Sequence, residues 1–408
     1  MKILILTQYF WPENFQINDL AEGLRVKGHQ VEVLTGKPNY PHGKFFKGYR
    51  FLSPMREMFG EIPVFRAPLI PRFRSKGWQL ILNYFSFVFF ASLFVPWIGR
   101  RRYDLVLVFE PSPIFQALPA ILLKKIYKTP VALWVLDLWP ESLEATGAVR
   151  NSTALRLVGQ VVNYIYRQCD LILASSENFI PKIRERSGAK TSISYFPNWA
   201  DPLFESSKNS LHSQNKEQFH LTFAGNIGKA QSFETILKAA KILKNVPEIR
   251  WQIYGDGREK KWAEQTVNEW GLADQVIFHG MKPLANMPEI FSRSDALLIT
   301  LKNDPVFKLT VPAKLQAYMA CGRPIIASID GEGAEIIHTS KSGFVSPAED
   351  AEALAECVLS LHKLDPASRQ SLGQNGRRHY EQHFARNKLF DKIEDLFQKM
   401  TVENYNRS

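Results

Sequence analysis

Three carboxylates follow strand-like segments in the first half of the sequence, where they could act as general acids or bases. Asp137 and Glu141 lie in WVLDLWPES, four residues apart, directly after an apolar run typical of a buried strand. Glu110 follows another such run, in VFEPSP. A carboxylate at the end of a strand can take a proton from a substrate hydroxyl or orient that hydroxyl. The alternative is that these residues only cap helices.

Two glycine-bearing loops follow strand-like segments in the second half. In FAGNIGK, Gly225 and Gly228 would let backbone amides approach an anion, and Lys229 would add a cation. In YGDGREKK, Gly255 and Gly257 occupy a similar place after the next strand. Neither loop has the third glycine and the downstream acid of a dinucleotide fingerprint, which disfavours a dehydrogenase.

A third loop, in KLTVPAKLQAYMACGRPIIAS, precedes a helix that is expected to begin near Ala313. The amides around Thr310 and Val311 would then lie at the positive end of a helix, with Lys308 and Lys314 as nearby cations. The alternative for each lysine is an ordinary solvated amine. Three such loops in one half of the chain favour a site for the phosphates of a nucleotide derivative.

The elements that position these loops alternate in type. Continuous apolar runs of four to seven residues, typical of strands buried on both faces, are separated by helical periodicity in both halves of the chain. A polar, breaker-rich stretch over residues 197–219 interrupts the alternation. The sequence therefore predicts an α/β protein with two Rossmann-like, doubly wound parallel-sheet domains and a cleft between them.

Several motifs resemble the GT-B-fold glycosyltransferases of family 4 along nearly the whole chain. In the second half these are PNWAD, FAGNIG, YGDGREKK, FHGMK and PAKLQAYMACGRPIIAS, in the family's order and spacing. In the first half YFWPENFQINDLAEGL, TGKPNYPHG and WVLDLWPESL are similar to the subgroup that makes bacterial surface polysaccharides. Within that subgroup the resemblance is closest to O-antigen, capsule and colanic-acid transferases such as N-acetyl-L-fucosamine transferases.

The resemblance implies a role for each domain. Residues 1–200 would bind the acceptor and face the membrane, residues 201–385 would bind a nucleotide sugar, and residues 386–408 would form a C-terminal helix that could pack back on the first domain. The donor would be a UDP-sugar, used as a substrate with no further cofactor. The acceptor would be a saccharide linked to polyprenyl diphosphate, and transfer would retain the anomeric configuration.

The sequence also departs from the family pattern. Two glutamates usually lie eight residues apart in the third loop and helix, but those places hold Leu309 and Ala317. The arginine that often follows the first glycine of the second half is Asn226, and the paired glycines of the N-terminal loop are replaced by a segment that includes Asn14 and Phe15. Lys314 and the loop amides are therefore predicted to hold the diphosphate, with Asn226 beside them. Asn14, Phe15 and Glu110 are predicted to contact the acceptor.

No metal is expected, because the sequence has no DxD between the domains and no HxH or HExxH pattern. Its three cysteines are far apart and form no CxxC pair, which disfavours a disulfide scaffold and a cysteine zinc site. The N-terminal apolar run is too short for a signal peptide. These features predict a protein of the cytoplasmic side.

The net charge of +11 belongs entirely to the first half, where residues 1–200 carry 25 Lys and Arg against 14 Asp and Glu. A basic half beside a neutral half predicts an acidic partner for the first half alone. The absence of an aromatic–basic RNA-recognition signature disfavours nucleic acid. An anionic inner-membrane surface is the expected partner.

An uncharged segment, Leu80 to Ile98, is long enough for a membrane span. Arg72, Arg74 and Lys76 precede it, and Arg100, Arg101 and Arg102 follow it. Strand-like segments on both sides argue against a single crossing, so a helix lying in the interface is expected, with Phe87 and Phe89 in contact with lipid. A buried core helix is the alternative.

The predicted function is transfer of a sugar, expected to be an amino or deoxy sugar, in surface polysaccharide biosynthesis. One alternative is a UDP-sugar epimerase or phosphorylase on the same fold, which would turn over the donor without an acceptor. Another is a basic membrane-binding protein without catalysis. That protein would keep its function when Asp137 and Lys314 are replaced, whereas a transferase would not.

Overall fold

A computed structural model of the chain describes residues 1–74, 77–145, 147, 149, 151–205 and 218–405. These residues divide into two compact units, the first comprising Met1–Phe196 with Phe390–Ser408 and the second Pro197–Leu389. Lys76 and much of the expected interdomain linker lie outside the described residues.

The first unit contains a sheet of eight strands among the described residues, in the order β3-β4-β2-β1-β5-β6-β7-β8. All neighbours are parallel except the pair β3 and β4. The strands are β1 (Lys2–Leu6), β2 (Gln30–Thr35), β3 (Arg56–Phe59), β4 (Ile62–Arg66), β5 (Leu105–Glu110), β6 (Val131–Val135), β7 (Leu171–Ala174) and β8 (Ser192–Tyr195).

The central strands β1, β5 and β6 are buried along almost their whole length, as their continuous apolar sequences predict. The edge strands β3 and β8 were not predicted. Their residues are exposed or half-buried, so they lack a continuous apolar run that would mark them in the sequence.

Six helices connect the strands of the first unit, and α2 packs against α3. They are α1 (Gln16–Val26), α2 (Gly77–Ile98), α3 (Leu118–Tyr127), α4 (Glu141–Ala145), α5 (Ser152–Gln168) and α6 (Phe179–Ser187).

The second unit contains a parallel sheet of six strands among its described residues, in the order β11-β10-β9-β12-β13-β14. The strands are β9 (Phe219–Ala224), β10 (Ile249–Tyr254), β11 (Val276–Gly280), β12 (Ala296–Thr300), β13 (Ile325–Ser328) and β14 (Gly343–Ser346). A wholly buried cluster of aliphatic and aromatic side chains from β9, β10, α8 (Phe233–Ile242) and α14 (Ala351–Lys363) forms the core of this unit.

The remaining helices of the chain are α7 (Pro202–Glu205), α9 (Lys260–Glu269), α10 (Met287–Ser292), α11 (Pro305–Lys308), α12 (Ala313–Ala320), α13 (Glu332–Ser340), α15 (Pro366–His383) and α16 (Arg386–Tyr405). Within the first unit, Phe390 of α16 lies against Gly23 of α1. The Nζ atom of Lys27 pairs with the carboxylates of Asp391 and Glu394 at 2.5 and 2.9 Å.

The strand order of each sheet changes direction at its centre, as in a doubly wound fold. The predicted fold class, two Rossmann-like parallel-sheet α/β domains, is confirmed. In such sheets ligands bind beyond the carboxyl ends of the strands, which is where the loops singled out in the sequence lie.

Candidate functional site

A cavity of about 480 Å³ opens beyond the carboxyl ends of β9 and β10 in the second unit. Its walls come from the loops after these strands, the loop after β11, and the helices α10 and α12. The side chains and backbone that line it include Ala224, Gly225, Asn226, Tyr254, Gly255, Asp256, Met281, Lys282, Leu284, Met287, Phe291, Lys314, Ala317 and Tyr318. Two of the predicted loops and the helix that follows the third loop therefore contribute to one site.

Lys314 supplies a cation of this cavity from the first turn of α12. Its Nζ atom lies 4.1 Å from the centroid of the Phe223 ring and donates a 2.7 Å hydrogen bond to Oε1 of Gln231. Burial lowers the pKa of Lys314 to about 7. An amine at the positive end of a helix, held by an amide and an aromatic face, is arranged for an anionic ligand.

The glycine turns have a different role from the one predicted. The amide of Gly225 donates to the carbonyl of Tyr254 at 2.9 Å, and the amide of Gly255 donates to that of Gly280 at 3.0 Å. A Cβ atom on Gly255 would lie 1.8 Å from the Gly225 carbonyl oxygen, and one on Gly257 would lie 2.2 Å from that of Ile227. These glycines allow the two loops to pack together, so the prediction that their amides face an anion is wrong for Gly225 and Gly255.

A Cβ atom on Gly228 would lie 2.7 Å from the side-chain nitrogen of Asn226, so this glycine makes room for Asn226. Lys229 is exposed and does not line the cavity. Lys308 is also exposed and pairs with Asp330 at 3.3 Å. The Thr310 hydroxyl donates to the Val306 carbonyl at 2.9 Å.

The Thr310 amide donates to the carbonyl of Phe307 at 3.2 Å, and the Val311 side chain is buried. Together with Gly228, Lys229, Lys308 and Gly257, these two residues are absent from the lining of the cavity. Their role in donor binding therefore stays a prediction.

The lining also contains apolar side chains that were not predicted, beside a second lysine, the exposed Lys282. The apolar side chains are those of Met281, Leu284, Met287 and Phe291. Met281 is 75% exposed, which is unusual for a large apolar side chain. The FHGMK motif placed Met281 in a family-like loop, but its neighbours come from α10 and could not be identified from spacing alone. A cavity that combines apolar side chains with a cation can hold the base and the phosphates of a nucleotide.

Two carboxyl groups lie together at the strand ends of the first unit. Glu110 is the last residue of β5, Asp137 lies two residues beyond β6, and Glu110 is paired in register with Val135. Burial and the charge of Asp137 raise the pKa of Glu110 well above its ordinary value. Burial also raises the pKa of Asp137, against hydrogen bonds from Ser142, Trp139 and Ser112.

Asp137 is only half-buried, and Nε1 of Trp139 donates to its Oδ2 at 3.0 Å. It therefore keeps a face through which a substrate hydroxyl could reach it. Glu110 is completely buried, so the prediction that it contacts the acceptor directly is wrong. Glu141 pairs with Arg186 at 2.6 Å, and this ion pair occupies the carboxylate that was predicted to be catalytic.

Helix α2 presents a large apolar surface. Its buried stripe is Asn83, Phe87, Ala91, Val95 and Ile98, spaced three or four residues apart. Large apolar side chains of α2 on the remaining faces are exposed by 42 to 60%: Trp78, Ile81, Leu82, Phe85, Phe89, Leu93 and Trp97. By length and composition this is one helix among the described residues that could cross a membrane, and 28% of its most apolar window is buried.

Two predicted membrane contacts are corrected by this packing. Phe87 is fully buried and faces the core of the first unit, whereas Phe89 is 60% exposed. Arg101 donates to both carboxylate oxygens of Glu32, at 2.7 and 3.0 Å, and is occupied within the protein. Arg100 and Arg102 are exposed, as a contact with an anionic surface requires.

The N-terminal loop predicted to contact the acceptor lies among aromatic rings. Phe15 stacks on Tyr9 at a centroid distance of 5.0 Å and lies 5.3 Å from the Tyr40 ring, while Asn14 is exposed. Arg72, expected as a surface flank of α2, is instead buried among Tyr9, Tyr40 and Tyr84. No sequence signal joins these residues, which come from four separate segments.

Comparison with known proteins gives two family matches that together cover most of the chain. Residues 14–199 match the model described as a glycosyl transferase 4-like domain, and residues 206–379 match the model of glycosyl transferases group 1. The chain is 27% identical over 372 residues to the glycosyltransferase WbjE of Pseudomonas aeruginosa, covering 85% of this chain and 90% of WbjE. It is 25% identical over 340 residues to the colanic acid biosynthesis glycosyl transferase WcaI of Escherichia coli K12, covering 79% and 82%.

Solved structures share the fold along nearly the whole chain. Sucrose-phosphate synthase from Thermosynechococcus elongatus superposes with a TM-score of 0.71 at 17% identity, covering 98% of this chain and 99% of that one. HepE of Anabaena in complex with UDP superposes with a TM-score of 0.68 at 16% identity, covering 98% and 100%.

Proposed function

The chain belongs to the GT-B glycosyltransferases whose halves match the 4-like and group 1 families, and we propose that it transfers a sugar from a UDP-sugar to a polyprenyl-diphosphate-linked saccharide. The observation that carries this proposal is the cavity of the second unit, whose lining combines Lys314 with several apolar side chains.

In this proposal the uracil lies against the apolar side chains of Met281, Leu284 and Phe291, and the diphosphate lies at Lys314. Lys314 has no carboxylate partner among the described residues, so a diphosphate would be its counter-ion. Ala317 lines the wall where the family resemblance implies a ribose-binding glutamate. Asp256, which is exposed at the cavity, is the carboxylate available to the ribose hydroxyls instead. The fold neighbour HepE is solved with UDP, which supports this choice of nucleotide.

The reaction breaks the bond between the sugar C1 and the β-phosphate oxygen and forms a bond between C1 and an acceptor hydroxyl oxygen. The electron pair of the broken bond leaves with UDP, and the proton of the hydroxyl passes to the carboxylate of Asp137. Lys314 would stabilise the charge that develops on the leaving diphosphate. We propose that no metal takes part in this step and that the anomeric configuration is retained.

Asp137 is proposed to accept the hydrogen bond of the attacking acceptor hydroxyl in the first unit. Three hydrogen-bond donors orient its carboxylate, so it can hold that hydroxyl in one direction. Burial and the charge of Asp137 raise the pKa of Glu110 well above its ordinary value, which favours the neutral form of this buried acid. Glu110 is thus a positioning residue for Asp137.

The apolar face of α2 is proposed to lie in the cytoplasmic leaflet of the inner membrane, where a polyprenyl-linked acceptor is embedded. The exposed residues Leu122 and Ile126 belong to α3, which packs against α2. Lys125 on α3 and Lys128 directly after it are exposed, and so are Arg100 and Arg102 beyond α2. Apolar side chains with a basic rim fit an anionic lipid surface.

The saccharide is proposed to be a unit of a bacterial surface polysaccharide, such as an O-antigen or exopolysaccharide, because the relative WcaI is named as a colanic acid biosynthesis glycosyl transferase. An amino or deoxy sugar is the proposed donor moiety.

The proposal is tested on membranes from a strain that lacks this protein. Adding back the purified chain with a panel of UDP-sugars should lengthen one lipid-linked saccharide by a single sugar, as read by mass spectrometry. The coupling of the anomeric proton of the transferred sugar should indicate the same anomeric configuration as in the donor. The lengthened product should not form with the Lys314→Met variant.

Two results would favour the alternatives. Conversion of the UDP-sugar in the absence of any acceptor would indicate an epimerase or phosphorylase on this fold. Membrane binding that survives Asp137→Asn and Lys314→Met, together with no turnover by the wild type, would indicate a binding protein without catalysis.

A further inference from the structure

Arg72 is a buried cation whose counter-ion is missing from the described residues. Only 9% of its surface is exposed, and its Nε atom has no hydrogen-bond partner there. One terminal nitrogen donates to the hydroxyls of Tyr9 and Tyr84, at 2.8 and 3.1 Å. Neutral phenols satisfy part of the guanidinium but leave its charge uncompensated.

Aromatic rings enclose the guanidinium on three sides. Its central carbon lies 5.5, 5.1 and 5.8 Å from the ring centroids of Tyr9, Tyr40 and Tyr84. We call this arrangement the Arg72 cage. Cation–π contacts offset part of the cost of burying the charge. The Tyr40 ring is 41% exposed, so it is the wall that solvent reaches.

The acidic group whose charge is shown to act on Arg72 is Glu13, and it is already engaged by backbone amides. The Oε1 atom of Glu13 accepts hydrogen bonds from the amides of Asn39 and Tyr40, both at 2.7 Å. Burial raises the pKa of Glu13 to about 7, which weakens it as a counter-charge at neutral pH. A buried charge without a partner is costly, and that cost is explained if the partner is a ligand.

The position of the cage indicates which anion it takes. Tyr84 belongs to α2, and its neighbours Phe85, Ile81 and Leu82 are among the exposed apolar side chains of that helix. Asn83 fixes the turn of α2 that carries Tyr84 to the rest of the first unit. Its side chain accepts a 2.7 Å hydrogen bond from the side chain of Gln8 and donates a 2.6 Å hydrogen bond to the carbonyl of Ile70. One wall of the cage, Tyr84, thus belongs to the helix whose exposed face is proposed to rest on lipid.

We infer that the Arg72 cage binds the diphosphate of an isoprenoid-linked acceptor, with the isoprenoid chain running along the exposed face of α2. This inference rests on the proposed function and names the residue that holds the acceptor's phosphates. The planar fork of arginine can donate two parallel hydrogen bonds to one phosphate, which lysine cannot do.

The test uses farnesyl diphosphate as the probe with the full chain in detergent. The wild type should bind it saturably, and Arg72→Lys and Arg72→Met should bind it at least about tenfold more weakly because the fork is lost. Arg156→Gln, on the exposed side of α5, removes one positive charge elsewhere in the same unit and should bind like the wild type. Equal binding by Arg72→Met and the wild type would overturn the inference.

Three further probes separate the sources of the anion. Farnesyl diphosphate should not be displaced by inorganic diphosphate, farnesol or phosphatidylglycerol vesicles. Each competitor is supplied at the same concentration of phosphate groups or hydrocarbon chains as the farnesyl diphosphate. Displacement by inorganic diphosphate would mean a general anion site, and displacement by the vesicles would mean a phospholipid site. Either result would overturn the assignment to an isoprenoid diphosphate.

A measurement on the wild type guards against variants that misfold. Farnesyl diphosphate should slow phenylglyoxal modification of Arg72, read by peptide mass, and leave the modification of Arg156 unchanged. No protection would contradict the inference. If Arg72→Lys transfers sugar with an unchanged KM for the lipid-linked acceptor, the role of the Arg72 cage is refuted and the proposed function stands. If farnesyl diphosphate protects Arg72 but the wild type transfers no sugar, the proposed function is refuted and binding at the cage stands.

Discussion

Glu110 ends β5 and Asp137 lies two residues beyond the neighbouring parallel strand β6, and the charge of Asp137 helps to raise the pKa of Glu110 well above its ordinary value. One of the pair is completely buried and the other is half-buried and held by three hydrogen-bond donors. Two chemically similar groups are thereby given different surroundings. Burial favours the neutral form of the inner acid, while the outer one can accept a proton or orient a hydroxyl.

Replacing Asp137 with Asn should lower kcat for sugar transfer about 100-fold or more, the range for loss of a general base. The affinity for UDP should not change, because the UDP cavity lies in the other unit. The matched control is Glu110→Gln, which imitates the protonated acid and should retain most of the activity. A larger loss in Glu110→Gln than in Asp137→Asn would reverse the roles assigned to the two residues.

Glu110 should also make stability depend on pH. Its pKa is higher in the folded than in the unfolded protein, so its stabilising contribution is complete below about 4.5 and is lost as the pH rises towards the folded pKa. Denaturant unfolding of the wild type and Glu110→Gln should therefore diverge between pH 5 and 8, with the variant gaining relative stability at the higher pH. Parallel curves across this range would show that Glu110 does not titrate as described.

Lys314→Met should weaken UDP binding by about tenfold or more, as expected for the loss of a charge-assisted hydrogen bond. Binding of uridine should change little, because it lacks the phosphates that Lys314 is proposed to hold. Calorimetry with both ligands makes this comparison directly.

Lys238→Met is the control for the lysine substitution. Lys238 forms an exposed ion pair with Glu234 at 2.8 Å on α8, away from the cavity lining. An equal loss of UDP affinity in Lys238→Met would show that the effect of Lys314 is not specific to the cavity. An equal loss of uridine affinity in Lys314→Met would place the lysine at the base instead of the phosphates.

Phe89→Asp should release the protein from anionic vesicles without unfolding it. Phe89 is 60% exposed, so its replacement should change the free energy of unfolding by no more than about 0.5 kcal/mol. Phe87→Asp would place a charge in the core and should destabilise the protein by about 4 kcal/mol or more. Vesicle co-sedimentation and thermal unfolding separate the two effects. Unchanged sedimentation of a folded Phe89→Asp variant would argue against α2 as the membrane contact.

The central strands and the two-domain organisation could be predicted because burial on both faces of a parallel sheet requires continuous apolar runs. The run over β5 is an example, and it ends at Glu110. The edge strand β3 could not be predicted, because alternation of exposed and half-buried residues over Arg56–Phe59 also fits a loop.

The candidate site was predicted only in part for a related reason. Loop position suggested Lys314, but the use of each amide depends on contacts between loops. The amide of Gly225 donates its hydrogen bond to the carbonyl of Tyr254, the last residue of β10. The spacing of the glycines does not reveal this contact. Arg72 likewise read as a surface charge before α2. Its cage forms from side chains that the fold brings together from distant positions, Tyr9 and Tyr40 among them.

The most direct measurement is the release of UDP by the purified chain in the presence of a UDP-sugar and a polyprenyl-diphosphate-linked saccharide in vesicles. The account predicts one UDP released for each sugar found on the lipid, no release without the acceptor, and little of either with Lys314→Met. UDP release that does not depend on the acceptor, or transfer by Lys314→Met at the rate of the wild type, would contradict it.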